Sequence, residues 1–148
     1  MSNDADLMKL YSKRILALAT QMPHAARLAD PDGTAKVRSP LCGSTVTVDV
    51  KMADGRVAAY GQDVKACALG QAAAAIVGAQ AVGLDEAEIR AGRDALRSML
   101  KEDGPVPPAP FEALEVLSPA RDYKNRHASI MLAFDALLDA VIGARKAA

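Results

Sequence analysis

The chain has 148 residues, enough for one compact domain with its own core. Hydrophobic residues make up 51% but aromatic ones only 3%, so the core is expected to be closely spaced, alanine-rich and helical. Eighteen basic and eighteen acidic residues cancel, which argues against a basic nucleic-acid groove or a polybasic membrane face. The first twenty residues carry charges throughout and lack an apolar block with a small-residue cleavage site, so they do not read as a signal peptide. A cytoplasmic, reduced protein is expected, with neither nucleic acid nor membrane as partner.

In chain order, Leu7, Leu10, Ile15 and Leu18 recur at helical spacing, predicting a helix from Ala5 to Met22 that stops at Pro23. Asp30-Pro31-Asp32-Gly33 is turn chemistry, and a short strand is expected over Ala35–Ser39, closed by Pro40. Thr45 to Met52 alternates strictly. Val46, Val48, Val50 and Met52 share one face, and Thr45, Thr47, Asp49 and Lys51 the other, the pattern of a half-buried antiparallel strand. Asp54-Gly55 supplies a two-residue turn of the primed type, and Arg56–Gln62 returns as the second strand of a hairpin. An alanine-rich helix is expected over Ala66–Val82, with Gly83 as its stop. A second helix opens at Asp85 as N-cap and runs to Glu102. Pro105–Pro110 is a connector too short to divide two domains, so residues 1–148 read as one. A helical turn is expected over Phe111–Leu117 and a final helix over Asp122–Ala144, with Ile130, Met131, Phe134, Leu137, Leu138 and Val141 on one face.

The turn at Asp54-Gly55 sets a register that can be followed outward. Met52 then faces Val57, Val50 faces Ala59 and Val48 faces Gly61. Carried further, the same register puts Cys42 opposite Cys67, where paired Cα atoms lie about 4.5–5.5 Å apart. These are the only two cysteines in the chain. Cys67 falls at a helix start, where free N–H groups and the helix dipole favour an anionic sulfur, and Gly43 after Cys42 permits close approach. Three readings of the pair are open: small apolar packing residues, ligands or reactive thiols, or a reversible disulfide. His24 falls in a loop and reads as a surface residue. His127 shares a helical stripe with Met131, Phe134 and Leu138, so it faces inward, either as a hydrogen-bonded core residue or as a ligand. Ser44 lies on the same side as Cys42 and is a weak ligand candidate. No Ser/His/Asp array, phosphate loop or catalytic carboxylate pair is present, so enzyme activity is not expected.

At these residues the chain resembles the U-type iron–sulfur cluster assembly scaffolds, the family of IscU, SufU and the N-terminal domain of NifU. Leu10-Tyr11-Ser12 with Pro23-His24 resembles the family's N-terminal segment, and Pro40-Leu41-Cys42-Gly43-Ser44 its Cys-Gly-Asp motif. Ala66-Cys67-Ala68 resembles the second cysteine at its helix start, and His127-Ala128-Ser129 with Met131-Leu132-Ala133 the His-Cys-Ser-Met-Leu-Ala motif. The connection from Leu84 to Leu117 and Ser118-Pro119-Ala120-Arg121 are closer to the SufU branch.

The resemblance implies an α+β fold, a three-stranded antiparallel sheet packed against four to five helices. It implies a [2Fe–2S] cluster or Zn²⁺ as cofactor, a cysteine desulfurase as sulfur donor, and apo-protein acceptors. The chain departs from the family at Ser44, which takes the aspartate position. Ala128 stands at the third cysteine in one alignment, His127 in an alignment shifted by one. Asp122-Tyr123-Lys124-Asn125-Arg126 replaces the chaperone-binding Leu-Pro-Pro-Val-Lys. What remains is Cys42, Cys67 and His127, a set able to bind Zn²⁺ with one position open, or a [2Fe–2S] cluster with an extra ligand. Cys67 is the expected sulfur acceptor. The alternative is a metal-free binding or regulatory module that keeps the fold and a desulfurase-facing surface.

Overall fold

Three antiparallel strands form a sheet in the order β1-β2-β3: β1 Gly33–Arg38, β2 Thr45–Ala53 and β3 Arg56–Lys65. The structure, a computed structural model, describes residues 11–40 and 43–147. Around the sheet stand α1 (Lys13–Thr20), α2 (Ala68–Gln80), α3 (Glu86–Lys101), a 3-10 helix (Glu112–Asp122) and α4 (Lys124–Ala147). This is the α+β arrangement expected, a three-stranded sheet with helices on it. The part of the first predicted helix before Tyr11 lies outside the described residues.

The long helix α4 crosses the inner face of the sheet, packing on β1 and β2 and on the flanks of α2 and α3. Val46, Val48 and Val50 point into it and are fully buried, as are Ile130, Phe134 and Leu137 from the helix side. Each such side chain contributes about 1.5–3 kcal/mol of burial. By length and hydropathy α4 would also suit a membrane, but 72% of its apolar stretch is buried inside the fold, as in a core helix. The α2 helix is apolar nearly all round, and its small residues let it fit between α1 and α4. Asp85 caps α3 through a complete capping box with Glu88, as its sequence position suggested.

Both turn residues of the hairpin have positive φ, 54° at Asp54 and 76° at Gly55, which is the primed turn that the sequence specifies. Met52 pairs with Val57 as expected. Beyond that point the register departs from the simple extrapolation: Lys51 pairs with Ala59, Val50 with Tyr60 and Val48 with Gln62. A bulge at Ala58 takes up one residue, so every later partner is shifted by one. The β3 strand also runs to Lys65, three residues beyond its predicted end. Carrying the corrected register outward no longer sets position 42 against position 67, so hairpin arithmetic does not pair the two cysteines. Cys42 itself lies outside the described residues.

The second correction concerns the outer face of the sheet. Alternation predicts Thr47 and Asp49 in solvent, yet both are buried, Asp49 completely. Residues 24–28 fold over this face. The His24 carbonyl accepts from the Gln62 N–H at 2.9 Å on the free edge of β3. Gly61, paired with Asp49, lets the Ala26 carbonyl come where any Cβ would collide with it. Asp49 then accepts from Arg27 Nε at 2.6 Å and Nη2 at 3.1 Å, from the Leu28 N–H at 3.0 Å and from Thr34 Oγ1 at 2.6 Å. From the inner side Gln62, also fully buried, donates to the Pro23 carbonyl at 3.0 Å and the Ala74 carbonyl at 3.3 Å, and accepts from Tyr60 Oη at 3.0 Å. Two buried polar residues of the hairpin thus hold the segment after α1 in place.

Burial alone raises the Asp49 carboxyl, but the bonds from Arg27, Thr34 and Leu28 outweigh it and hold the group below the usual carboxylate range. The linked stability is full above the unfolded-chain value of about 3.9 and is lost as pH falls through the lower folded value. Asp49→Asn is expected to cost about 2 kcal/mol at neutral pH, because charge-assisted bonds are lost around a buried group. Urea unfolding at pH 7 and pH 3 checks this: the gap between variant and native protein should be smaller at pH 3, below the unfolded-chain value, than at pH 7.

Candidate functional site

Cys67 is the N-cap of α2. It follows directly on the end of β3, with extended backbone (φ −66°, ψ 170°), and its carbonyl accepts from the Gln71 N–H at 2.9 Å. The strand can turn into the helix here because Ala66 and Ala68 are small and the next turn, through Gly70, has no side chain to place. The thiol is half-buried, packed against the edge of the core but open on one side.

The loop from β1 to β2 approaches the same corner. The Ser39 N–H donates to the Ser44 carbonyl at 2.8 Å, and the Gly43 N–H donates to the Ser39 carbonyl at 3.1 Å. Gly43 has φ +72°, a left-handed conformation natural to glycine, and this explains the glycine after the first cysteine. Ser44 is 5% exposed and turns its hydroxyl inward.

The third wall is α4. Ser129, 1% exposed, lies with its Oγ 3.5 Å from Cys67 Sγ and donates to Ser44 Oγ at 3.2 Å. Cys67, Ser129 and Ser44 therefore form one hydrogen-bonded row from three separate elements: the β3–α2 junction, α4 and the loop before β2. Gly70 makes the approach possible, since a Cβ there would stand 2.6 Å from Ser129 Oγ.

His127 occupies a different place. Two residues from Ser129 on an α-helix, it points about 200° around the axis from it. Its ring is 4% exposed, with Nε2 at 2.9 Å from the Ala120 carbonyl at the end of the 3-10 helix, and it lines a cleft with Leu100, Asp103, Arg121 and Lys124. The inward stripe was read correctly, and the inward side chain meets a backbone carbonyl. His24 is exposed, edge-on to Tyr60 at 6.0 Å between ring centroids. Among the described residues no group of three or more His, Cys, Asp or Glu side chains gathers as a metal centre. Sequence reading named Ser44, Cys67 and His127 but gave Ser129 no role. The signal that could have found it is helical phase, because Ser129 and His127 cannot both face one pocket.

No protein-family model and no curated protein matches the chain. Solved structures do. A nitrogen-fixing NifU-like protein (N-terminal) from Brucella abortus is 46% identical, with a TM-score of 0.93 over 97% of this chain and 99% of that one. A protein described as an iron–sulfur cluster assembly scaffold for the SUF system, from Fervidobacterium islandicum AW-1, has a TM-score of 0.79 at 15% identity, covering 90% of this chain and 98% of its own. A hypothetical protein gives 0.78 at 20% identity, over 91% and 98% of the two chains. The last two are similar in fold. On the first similarity, the chain belongs to the U-type iron–sulfur cluster assembly scaffold family.

His127→Ala removes the bond to Ala120 and opens a small cavity, which should cost about 1–3 kcal/mol in urea unfolding. In the folded variant, alkylation of Cys67 by iodoacetamide should proceed at the native rate, since the histidine faces away from that pocket.

Proposed function

We propose that this protein acts in iron–sulfur cluster assembly as a scaffold-like acceptor of sulfur from a cysteine desulfurase, with Cys67 as the accepting thiol. Cys42 is the second thiol of the site, and the cargo is sulfur together with a metal ion or a [2Fe–2S] unit bound for an apo-protein. The observation that carries this reading is the position of Cys67: half-exposed at a helix start, in a corner built from three elements, within a fold whose 46%-identical relative is NifU-like. A thiol so placed can meet a partner's persulfide. Its thiolate attacks the outer sulfur, the S–S bond of the donor breaks, the donor leaves as a thiolate, and Cys67 is left as the persulfide.

The chemistry of the donor set limits what the site retains. A [2Fe–2S] cluster is held by four thiolates or by thiolates with histidines. This chain contains two cysteines, and among the described residues the polar side chain at Cys67 is the Ser129 hydroxyl, itself bonded to Ser44. His127 can join only by leaving the Ala120 carbonyl. Ser44 offers a neutral oxygen, a weak ligand for zinc or iron. This supports a transient cargo rather than a resident cofactor. It also gives weight to a second reading, in which the protein binds the desulfurase without any metal.

The test is transfer of labelled sulfur. With a cysteine desulfurase and ³⁵S-cysteine, label should appear on the native protein under non-reducing conditions and leave on addition of dithiothreitol. Cys67→Ser should abolish it. Label persisting in Cys67→Ser, or never reaching the native chain although the two proteins bind one another, would remove the sulfur-acceptor reading and leave the binding module.

A further inference from the structure

Resting on Cys67 as the thiol that takes up sulfur, we propose that Lys36, Arg38 and Lys65 form a docking surface beside it. Its occupant is an acidic segment of the protein that delivers the sulfur. Register places the three cations together. Arg38, Thr45 and Lys65 are paired across the three strands, and the next pairing on that face joins Lys36, Thr47 and Asp63. Directly paired residues share a face, as do residues two apart on a strand, so all three stand on the outer face of the sheet. With strands about 4.8 Å apart and a rise of about 3.3 Å per residue, their Cα atoms lie within about 12 Å of one another. All three are exposed, Lys65 with 76% of its side chain open.

The end of the sheet they occupy is the end that meets the thiol. Arg38, Thr45 and Lys65 make its last rung. Beyond it β3 passes through Ala66 to Cys67, and β2 is entered from Ser44, whose Oγ accepts from Ser129. Two residues of chain span at most about 7 Å, which keeps the Lys65 backbone close to that of Cys67. The Arg38 guanidinium lies over Gly43, 3.6 Å from where a Cβ there would stand, and Gly43 follows Cys42 in the sequence. Charge balance is the second observation. The one carboxylate on these two rungs is Asp63, 4.0 Å from Lys65, while Lys36 and Arg38 have no ion-pair partner among the described residues. Arg27, on the same face, is taken by Asp49. In a chain of zero formal net charge, three cations against one carboxylate are a local excess. Such an excess steers an oppositely charged partner and fixes its orientation more than it adds affinity. Three cations are few for a phosphate backbone, and no aromatic side chain stands on these rungs for base stacking, so protein carboxylates fit better than nucleic acid.

The test measures binding of a cysteine desulfurase and transfer of its ³⁵S label, at low salt and at about 0.5 M, where surface charges are screened. The triple variant Lys36→Glu, Arg38→Glu, Lys65→Glu should slow labelling about 10-fold or more at low salt and lose the salt dependence of the native protein. The triple glutamine variant should lie between the two, and it carries the same test if the glutamate variant does not fold. Lys51→Glu, on the same face but about 20 Å along β2 from Thr45, should match the native protein. A second readout needs no partner. Mass spectrometry of the Cys67 and Cys42 peptides gives the ratio of alkylation by anionic iodoacetate to that by neutral iodoacetamide, which cancels any change in thiol ionisation. That ratio should fall several-fold in the triple glutamate variant. Folded triple variants, by circular dichroism, that bind the desulfurase and take label at the native rate overturn the proposal. So does a Lys51→Glu effect as large as theirs, which would reflect net charge alone. Tighter binding of a short DNA duplex or of phosphatidylglycerol vesicles than of a polyglutamate peptide, through these cations at the same salt, overturns it as well. Salt- and charge-dependent desulfurase binding without label removes the sulfur-acceptor reading and leaves the docking surface; equal label on native and variant does the reverse.

Discussion

The close crossing of α2 and α4, made possible by the bare backbone of Gly70, is the constraint on which the site depends. A Cβ at that position would stand 2.6 Å from Ser129 Oγ and 3.2 Å from the Ser129 carbonyl, so the serine could not keep its present place. With the crossing in place, Ser129 reaches Cys67, and the same stretch of α4 sits on the inner valines of the sheet. The hydrophobic core and the polar corner are two ends of one packing arrangement. Interiors at native density do not adjust by ångströms at low cost, so the distance from thiol to hydroxyl is as fixed as the core behind it.

A second set of polar contacts holds the other side. Asp49 and Gln62 are buried in the hairpin, and each bonds to the segment that follows α1 as well as to partners in the sheet or α2. Buried polar groups with every partner in place specify one arrangement of the chain, whereas the same groups left unpaired would cost several kcal/mol. That segment contains Pro23 and His24, and on Asp49 Arg27 closes a bidentate pair that remains open to solvent on the arginine side. The sheet is thus covered by apolar helices on one face and latched by polar contacts on the other.

The chemical character of the corner follows from the choice of atoms rather than from geometry alone. Beside Cys67, α4 and the loop before β2 each bring a serine, Ser129 and Ser44, which bond to one another. Hydroxyls hydrogen-bond to one another and remain neutral; thiolates would repel one another unless a metal ion lay between them. A pair of bonded hydroxyls beside a half-buried sulfur is consistent with the proposed role of Cys67 as a sulfur acceptor.

Much of the fold is legible in the sequence because it is local. Strict alternation over Thr45–Met52, the Asp54-Gly55 turn, the N-cap at Asp85 and the alanine-rich stretch after Cys67 act over a few residues, and each formed where expected. The inward face of His127 was legible for the same reason. What the sequence did not reveal was non-local. The bulge at Ala58 shifts the register by one residue, and no residue type marks it. The burial of Asp49 depends on a segment more than twenty residues away folding over the sheet. The partner of Cys67 is sixty-two residues downstream, chosen by how α4 is rotated against α2, and that rotation is set by the whole core. Sequence by itself determined most of the elements and the family; only tertiary packing decided that Cys67 faces Ser129 and that His127 turns away, because helix phase becomes a direction in space only when the helix has something to pack against.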